Sequence, residues 1–242
     1  MIRRSSAPVK PEAPTIPTRC TAPIDDDITN YHTACCMFIQ PCGVEPSCFV
    51  RQTGQMVEAH ARSRLLVASP PLDDPNFDRS VVYIIDHSNE GAIGVIINRP
   101  LFLPEIDPME RWHDHLTEPV VIFDGGPVDP SALIALALGT PTTPESIEGA
   151  VRIADAVWSV DLSLDPSFIA PYFGGLRIFR GYAGWSAGQL DAEIDAGGWI
   201  VVNAETNDLF GSKPETLWRQ VLSRQPGRLS WLADAPDDLE AN

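Results

Sequence analysis

Hydrophobic and polar positions along this chain fall into two regimes that meet near residue 59. Before that point no apolar period survives more than a few positions. The longest apolar run there, Ala34 to Ile39, is too short to nucleate a core. From Arg64 onward, short apolar runs follow one another at strand spacing. Leu65 to Ser69, closed by Pro70-Pro71, reads as a strand. Ser80 to Asp86, rich in β-branched and aromatic residues, reads as a second strand, and Ala92 to Asn98 as a third. Ser88-Asn89-Glu90-Gly91 lies between the last two with Gly91 supplying a positive φ, which predicts a β-hairpin.

Further along, Pro108 to Leu116 reads as a short helix with proline tolerated in its first turn. Val120 to Phe123 reads as a buried strand running into the tight loop Asp124-Gly125-Gly126-Pro127. Leu133 to Leu138 is continuously apolar; its shortness and the bounding Gly139-Thr140-Pro141 favour strand over helix. Val157 to Leu162, Arg177 to Tyr182 and Trp199 to Asn203 complete the predicted strands. Helices are predicted over Pro166 to Phe173, over Gln189 to Ala196 with Leu190 and Ile194 on one face, and over Pro214 to Arg224, burying Leu217, Trp218, Val221 and Leu222. Strands outnumber helices and begin with a hairpin rather than a βαβ repeat. That order favours an α+β fold with a mixed, largely antiparallel sheet over a doubly wound parallel one.

Composition divides the chain at the same place. All five cysteines precede residue 59, in a proline-rich leader, so they do not staple the folded part as a disulfide framework would. Residues 1–58 are expected to be a disordered or mis-assigned extension, with Met56 as an alternative start, and 59–228 to be the domain. Residues 229–242 are expected to form an acidic tail that frays, apart from a contact by Trp231. A zinc site from His32, Cys35, Cys36, Cys42 and Cys48 is the competing reading of the leader, but the spacing lacks the close pairs such sites use.

Charge narrows the classes of partner. Five basic and six acidic residues fall in 1–58, so twelve basic and twenty-seven acidic ones, a net −15, belong to the rest. Such a field repels phosphate, which makes direct nucleic-acid binding an unfavoured reading, and likewise an anionic membrane surface. No apolar stretch is long enough to span a bilayer and no apolar segment follows Arg3-Arg4, so the cytoplasm is the expected compartment.

The most tempting chemistry is Gly184-Trp185-Ser186-Ala187-Gly188, which fits the nucleophile elbow of α/β-hydrolases. A serine needs a base, and that fold places its histidine after the serine, whereas every histidine here precedes Ser186. The competing reading has Ser186 N-capping a helix with Gln189 reaching back as a capping box, and Gly181 and Gly184 supplying a sharp turn. Gly125-Gly126 suits either an anion-binding nest or a turn forced by Pro127. Asp73, Asp74 and Asp78 beside Arg79 suit a hard cation or, as the favoured reading, a capped turn. His87 is read as a solvated side chain beside the hairpin turn. Arg99 is the basic residue best placed to clamp an anion or carboxylate.

Four blocks taken in order carry a resemblance. Asp74 to Tyr83 (DPNFDRSVVY), Asp86 to Pro100 (DHSNEGAIGVIINRP), Gly125 to Val128 (GGPV) and Gly181 to Leu190 (GYAGWSAGQL) are similar to the YqgE/AlgH family of bacterial proteins. The similarity spans about Arg64 to Arg224. It implies an α+β domain whose sheet curls toward a barrel flanked by helices, with no characterised activity. Some members are named as transcriptional regulators through an association with exopolysaccharide regulation.

Three functions compete. A non-catalytic domain would bind a small ligand or a protein where the 74–80 loop, Asn98-Arg99 and the Gly181–Gln189 segment meet. Its candidate residues are Asp74, Arg79, Asn98 and Arg99, then Gly125 and Gly126, then Tyr182, Trp185 and Gln189, with no cofactor, metal or catalytic residue assigned. A transcriptional regulator would act through a protein partner, since no basic recognition helix is visible. An unrecognised hydrolase would use Ser186.

Overall fold

The strand-rich pattern folds into one continuous sheet in the computed structural model, which describes residues 61–70, 72, 74–101 and 107–234. The leader with its cysteines and Met56, Pro71, Asp73 and the last eight residues lie outside the described residues. In chain order, β1 (Arg64–Ala68), β2 (Val81–Ser88) and β3 (Gly91–Ile96) precede the two-residue β4 (Pro100–Leu101) and helix α1 (Asp107–Trp112). Next come β5 (Ile122–Asp124), β6 (Val128–Gly139), β7 (Ala150–Ala154), β8 (Val157–Val160), α2 (Pro166–Ile169) and the long β9 (Phe173–Ser186). The last elements are α3 (Gln189–Asp195), β10 (Trp199–Asn203), α4 (Thr206–Phe210) and α5 (Leu217–Ser223).

The strand order is β10-β1-β2-β3-β9-β6-β8-β7, with β4 and β5 beside it. Every strand pair is antiparallel except β5 on β9. The architecture is therefore α+β, a largely antiparallel half-barrel with short helices on its faces. The predicted hairpin forms, with Gly91 at φ 137°.

Two-sided burial explains the texture of β1. Leu65 and Val67 pack with Leu217, Trp218, Val221 and Leu222 of α5, while Leu66 and Ala68 pack on the opposite face with Trp185, Leu190 and Trp199. A strand covered on both faces needs no polar alternation, which is why it reads as a continuous apolar run.

The segment expected to turn sharply at Gly181 and Gly184 instead continues as strand. β9 pairs with β6 along one edge; its other edge pairs with β5 through Ile178–Arg180 and then with β3 through Ala183–Ser186. Gly181, at φ 70°, marks the change of partner. Alternation reverses there: Arg177 and Phe179 face the α5 side, whereas Ala183 and Trp185 face α3. A one-residue bulge has this effect, because side-chain direction has a period of two. A Cβ on Gly181 would lie 2.5 Å from the Gly126 carbonyl oxygen, so this crossing requires glycine.

Two other local expectations change. The β7 strand was not predicted. The C-terminal stretch Gly227–Asp234 winds into a 3-10 helix instead of fraying, and it is anchored by Ala233 and Leu232, whereas Trp231 is 71% exposed. No helix among the described residues is long and apolar enough to cross a membrane.

Candidate functional site

The 74–80 loop brings four predicted residues together, as fastenings. Asp74 Oδ1 accepts the Asn76 N–H at 2.8 Å, and the Phe77 N–H donates to the Asp74 carbonyl. Asn98, just past β3, accepts the Val81 N–H at 2.8 Å through Oδ1 and donates from Nδ2 to the Arg79 carbonyl at 2.9 Å. That grip accompanies a left-handed φ of 49° at Arg79, whose guanidinium lies 5.0 Å from the centroid of the Trp218 ring. Arg99 donates from Nη1 to the Asn76 carbonyl at 2.7 Å and from Nη2 to the Asp78 carbonyl at 2.9 Å. Its guanidinium clamps backbone, where the sequence suggested an anion clamp.

Phe77 carries the same loop to the opposite face of the sheet. Its ring stacks on Trp185 at 6.2 Å and meets Trp199 edge-on at 5.3 Å, with Trp185 and Trp199 6.0 Å apart. Both indole N–H groups donate to one oxygen, Glu193 Oε2, at 2.8 Å each; Gln189 Nε2 donates to Glu193 Oε1 at 2.9 Å. Glu193 is the residue that sequence reasoning missed, because on an amphipathic helix it reads as a solvent-facing carboxylate.

Ser186 is not the N-cap: helix α3 starts from Gly188, two residues later, at φ 71°. Gln189 does reach back, accepting the Ser186 N–H at 3.1 Å, but the Ser186 hydroxyl also donates to that same Oε1 at 3.0 Å. His87 shares a sheet row with Ala92 and Trp185, one residue out of step with Ser186, and faces Asp191 Oδ1 at 3.6 Å. It is buried, contrary to the solvated reading. Ser186→Ala is expected to change unfolding free energy by less than about 0.5 kcal/mol. The wild-type chain is expected to resist fluorophosphonate labelling, and covalent labelling at Ser186 would restore the hydrolase reading.

The glycine pair serves close approach. Gly125 donates its N–H to the Arg180 carbonyl and accepts the Ile96 N–H, knitting β5 to β9 and β3. A Cβ on Gly126 would meet the Tyr182 backbone at 2.4 Å. Tyr182 packs on the α5-side core. With its backbone groups engaged in this way, Gly125 forms neither an anion nest nor a turn dictated by Pro127.

None of the predicted residues lines either of two clefts on the surface. The smaller, about 130 Å³, lies between α4 and α5 and includes Asn207, Gly211 and Lys213. The larger, about 330 Å³, is walled by Asp114, His115 and Leu116 on one side and Ala170 and Phe173 on the other, with Gly174 and Gly175 at the start of β9. Thr117 ties the walls to the strand: its N–H donates to the Leu176 carbonyl and its Oγ1 accepts the Leu176 N–H at 3.0 Å. A Cβ on Gly175 would lie 2.4 Å from that Oγ1. The segment that supplies Ala170 and Phe173 also carries Phe168, 77% exposed, and Tyr172, 42% exposed. A sequence signal for this surface existed. The stretch Pro166–Phe173 holds apolar residues at 168, 169, 170, 172 and 173, more than one buried face can absorb. Among the described residues, no cluster of three or more His, Cys, Asp or Glu is placed to hold a metal.

Comparison with known proteins gives a consistent picture. A family model described as AlgH-like matches residues 65–230. A UPF0301 protein of Streptomyces coelicolor is 46% identical over 181 residues, covering 74% of this chain and 94% of that one. A UPF0301 protein of Mycobacterium leprae is 40% identical over 207 residues, covering 85% and 100%. Among solved structures, a Corynebacterium diphtheriae protein is similar at a TM-score of 0.67 and 30% identity, over 72% of this chain and 91% of that one. The solution structure of AlgH from Pseudomonas aeruginosa is similar at a TM-score of 0.54 and 29% identity, over 76% and 99%.

Proposed function

Because the chain belongs to the AlgH-like family of uncharacterised proteins, we propose that it is a non-catalytic binding domain that engages a protein partner in the cytoplasm. The surface it uses is the cleft between the His113–His115 turn and the Ala170–Tyr172 turn. The observation that carries this reading is the exposure of Phe168 and Tyr172 on the chain segment that contributes Ala170 and Phe173 to that cleft. Isolated exposed apolar side chains are ordinary, but two exposed aromatics on one short segment supply the large, rigid contact area that dominates interface energetics. The residues behind the resemblance support it from the other side. Asn98, Arg99, Trp185 and Gln189 spend polar groups on partners within the chain.

Direct DNA reading gains no support from α5. Arg224 forms a forked pair with Asp208 at 2.7 and 2.6 Å, and Arg219 donates to the Ala233 carbonyl. A regulatory role would run through the same protein partner.

A photo-crosslinking amino acid at position 168 is expected to yield an adduct of defined mass in the native host. The same group at Val151, exposed on β7, is expected to yield none. Filling the cleft with Gly174→Trp should abolish the 168 adduct. Equal labelling at both positions, or an adduct indifferent to the cleft filling, would remove this reading.

A further inference from the structure

The floor of the larger cleft is an unfinished strand edge. Along that edge of β9, Ile178–Arg180 pair with β5 in parallel register, and Leu176 exchanges hydrogen bonds with Thr117. Before Thr117 the neighbouring segment leaves the strand. Residues His113–His115 wind into a 3-10 turn, closed by the Leu116 N–H on the His113 carbonyl. The cleft is the wedge between the two backbones, with Asp114 to Thr117 on one side and Phe173 to Leu176 on the other. Among the described residues, no strand pairs with Phe173–Gly175 along this edge.

Gly174 stands outside the ladder on its other side as well. β6 sets Leu138 against Gly175 and Gly139 against Phe173, so Gly174 is the extra residue of a bulge. It is also exposed. A bulged glycine within a strand suits a place where another backbone comes close. An open edge is completed by a further strand, through the main-chain N–H and carbonyl groups that every polypeptide carries. The side of an α-helix has none to offer, because its own turns consume them. The edge lies within a concavity, so the identical edge of a second copy, set back in the same way, does not meet it. Resting on the protein-binding reading, we infer that the partner enters this cleft as an extended segment whose main chain pairs with β9 at Phe173–Gly175. The added strand continues the line that Thr117 and β5 occupy further along β9. Its side chains alternate, so every second one meets Leu116, Ala170 or Phe173, a contact that suits an apolar residue.

Three neutral peptides test this on the full chain. They are Ac-Thr-Val-Thr-Val-Thr-NH2, the same peptide with both valine amides N-methylated, and the same peptide N-methylated at every residue. Amide chemical shifts are followed during titration. The parent peptide is expected to shift residues 114–117 and 173–176. Methylating the valines leaves the threonine amides clean on one edge, and is expected to change affinity by less than about threefold. Methylating every residue blocks both edges and is expected to weaken binding about tenfold or more, as loss of two ordinary hydrogen bonds would. Equal binding by the fully methylated peptide would overturn the inference, as would shifts confined to other surfaces or no shift at all. Concentration-dependent shifts at 173–176 without peptide would mark a second copy as the occupant and overturn it too. The crosslink at 168 separates this inference from the reading beneath it. An adduct that persists while the peptides leave the cleft unmoved would overturn strand pairing alone, and absence of both would overturn the docking surface itself.

Discussion

Arg177→Ala is expected to destabilise the domain by about 3 kcal/mol or more, while Arg177→Met stays within about 1.5 kcal/mol of the wild type. The side chain is 1% exposed, and its guanidinium lies 4.5 Å from the centroid of the Phe123 ring. Nη2 donates to the Glu118 carbonyl at 3.1 Å and to the Gly211 carbonyl, while Nε and Nη1 have no partner among the described residues. Alanine opens a cavity beside Phe123 and strips both carbonyls of their donor. Methionine fills the volume and removes a poorly satisfied buried charge, so part of its loss is offset. Burial lowers the Arg177 pKa to about 10, well below the usual arginine value, despite the opposing field of Glu215. Between about pH 10 and that usual value the unfolded chain binds more protons, so the penalty is complete below about pH 10 and eases as pH rises further. Denaturant unfolding of both variants checks the order. Equal losses would show that the two carbonyl bonds, and not volume, dominate this position.

Legibility of the fold followed the length of each apolar run. β1, β2, β3, β10 and α5 were visible because their apolar residues are nearly contiguous or helically spaced. β7 was hidden because Ala150–Ala154 holds only one buried residue, Ile153, and carries the charged Arg152. The arginine lies 4.8 Å from the centroid of the Trp158 ring, a contact no local pattern announces. The C-terminal half of β9 was mistaken for a turn because glycines at 181 and 184 carry turn chemistry. In the fold, Gly181 permits a bulge and a backbone crossing at Gly126.

The proximity of the 74–80 loop to Asn98-Arg99 was legible, and the bonds that cause it were not. Sequence alone grouped Asp74, Arg79, Asn98 and Arg99, and the structure does gather them. What it could not show is that the loop's own carbonyls at Asn76, Asp78 and Arg79 are the acceptors. Backbone carbonyls leave no mark in a sequence, so a side chain that clamps them looks available for a ligand. Phe168 and Tyr172 were read as part of a packed helix for a related reason: which aromatics stay outside depends on where the surrounding strands end.

Glu193→Ala is expected to cost about 2–4 kcal/mol, and Glu193→Gln about 1 kcal/mol, from the price of unpaired buried donors. Trp185 and Trp199 are both buried, and their indole N–H groups share Glu193 Oε2 as acceptor. Alanine leaves two donors inside the core with nothing to accept them. Glutamine keeps one amide oxygen for the indoles but loses the charge that strengthens both bonds, and its NH₂ opposes that of Gln189, now bonded to Oε1. Unfolding curves measure the losses, and near-ultraviolet circular dichroism reports the three-ring cluster with Phe77 directly. If alanine cost less than about 0.5 kcal/mol with an unchanged aromatic spectrum, the carboxylate would not be holding this cluster. Trp185 and Gln189 would then regain a claim to ligand contact. The predicted loss assigns them instead to fixing α3 on the sheet.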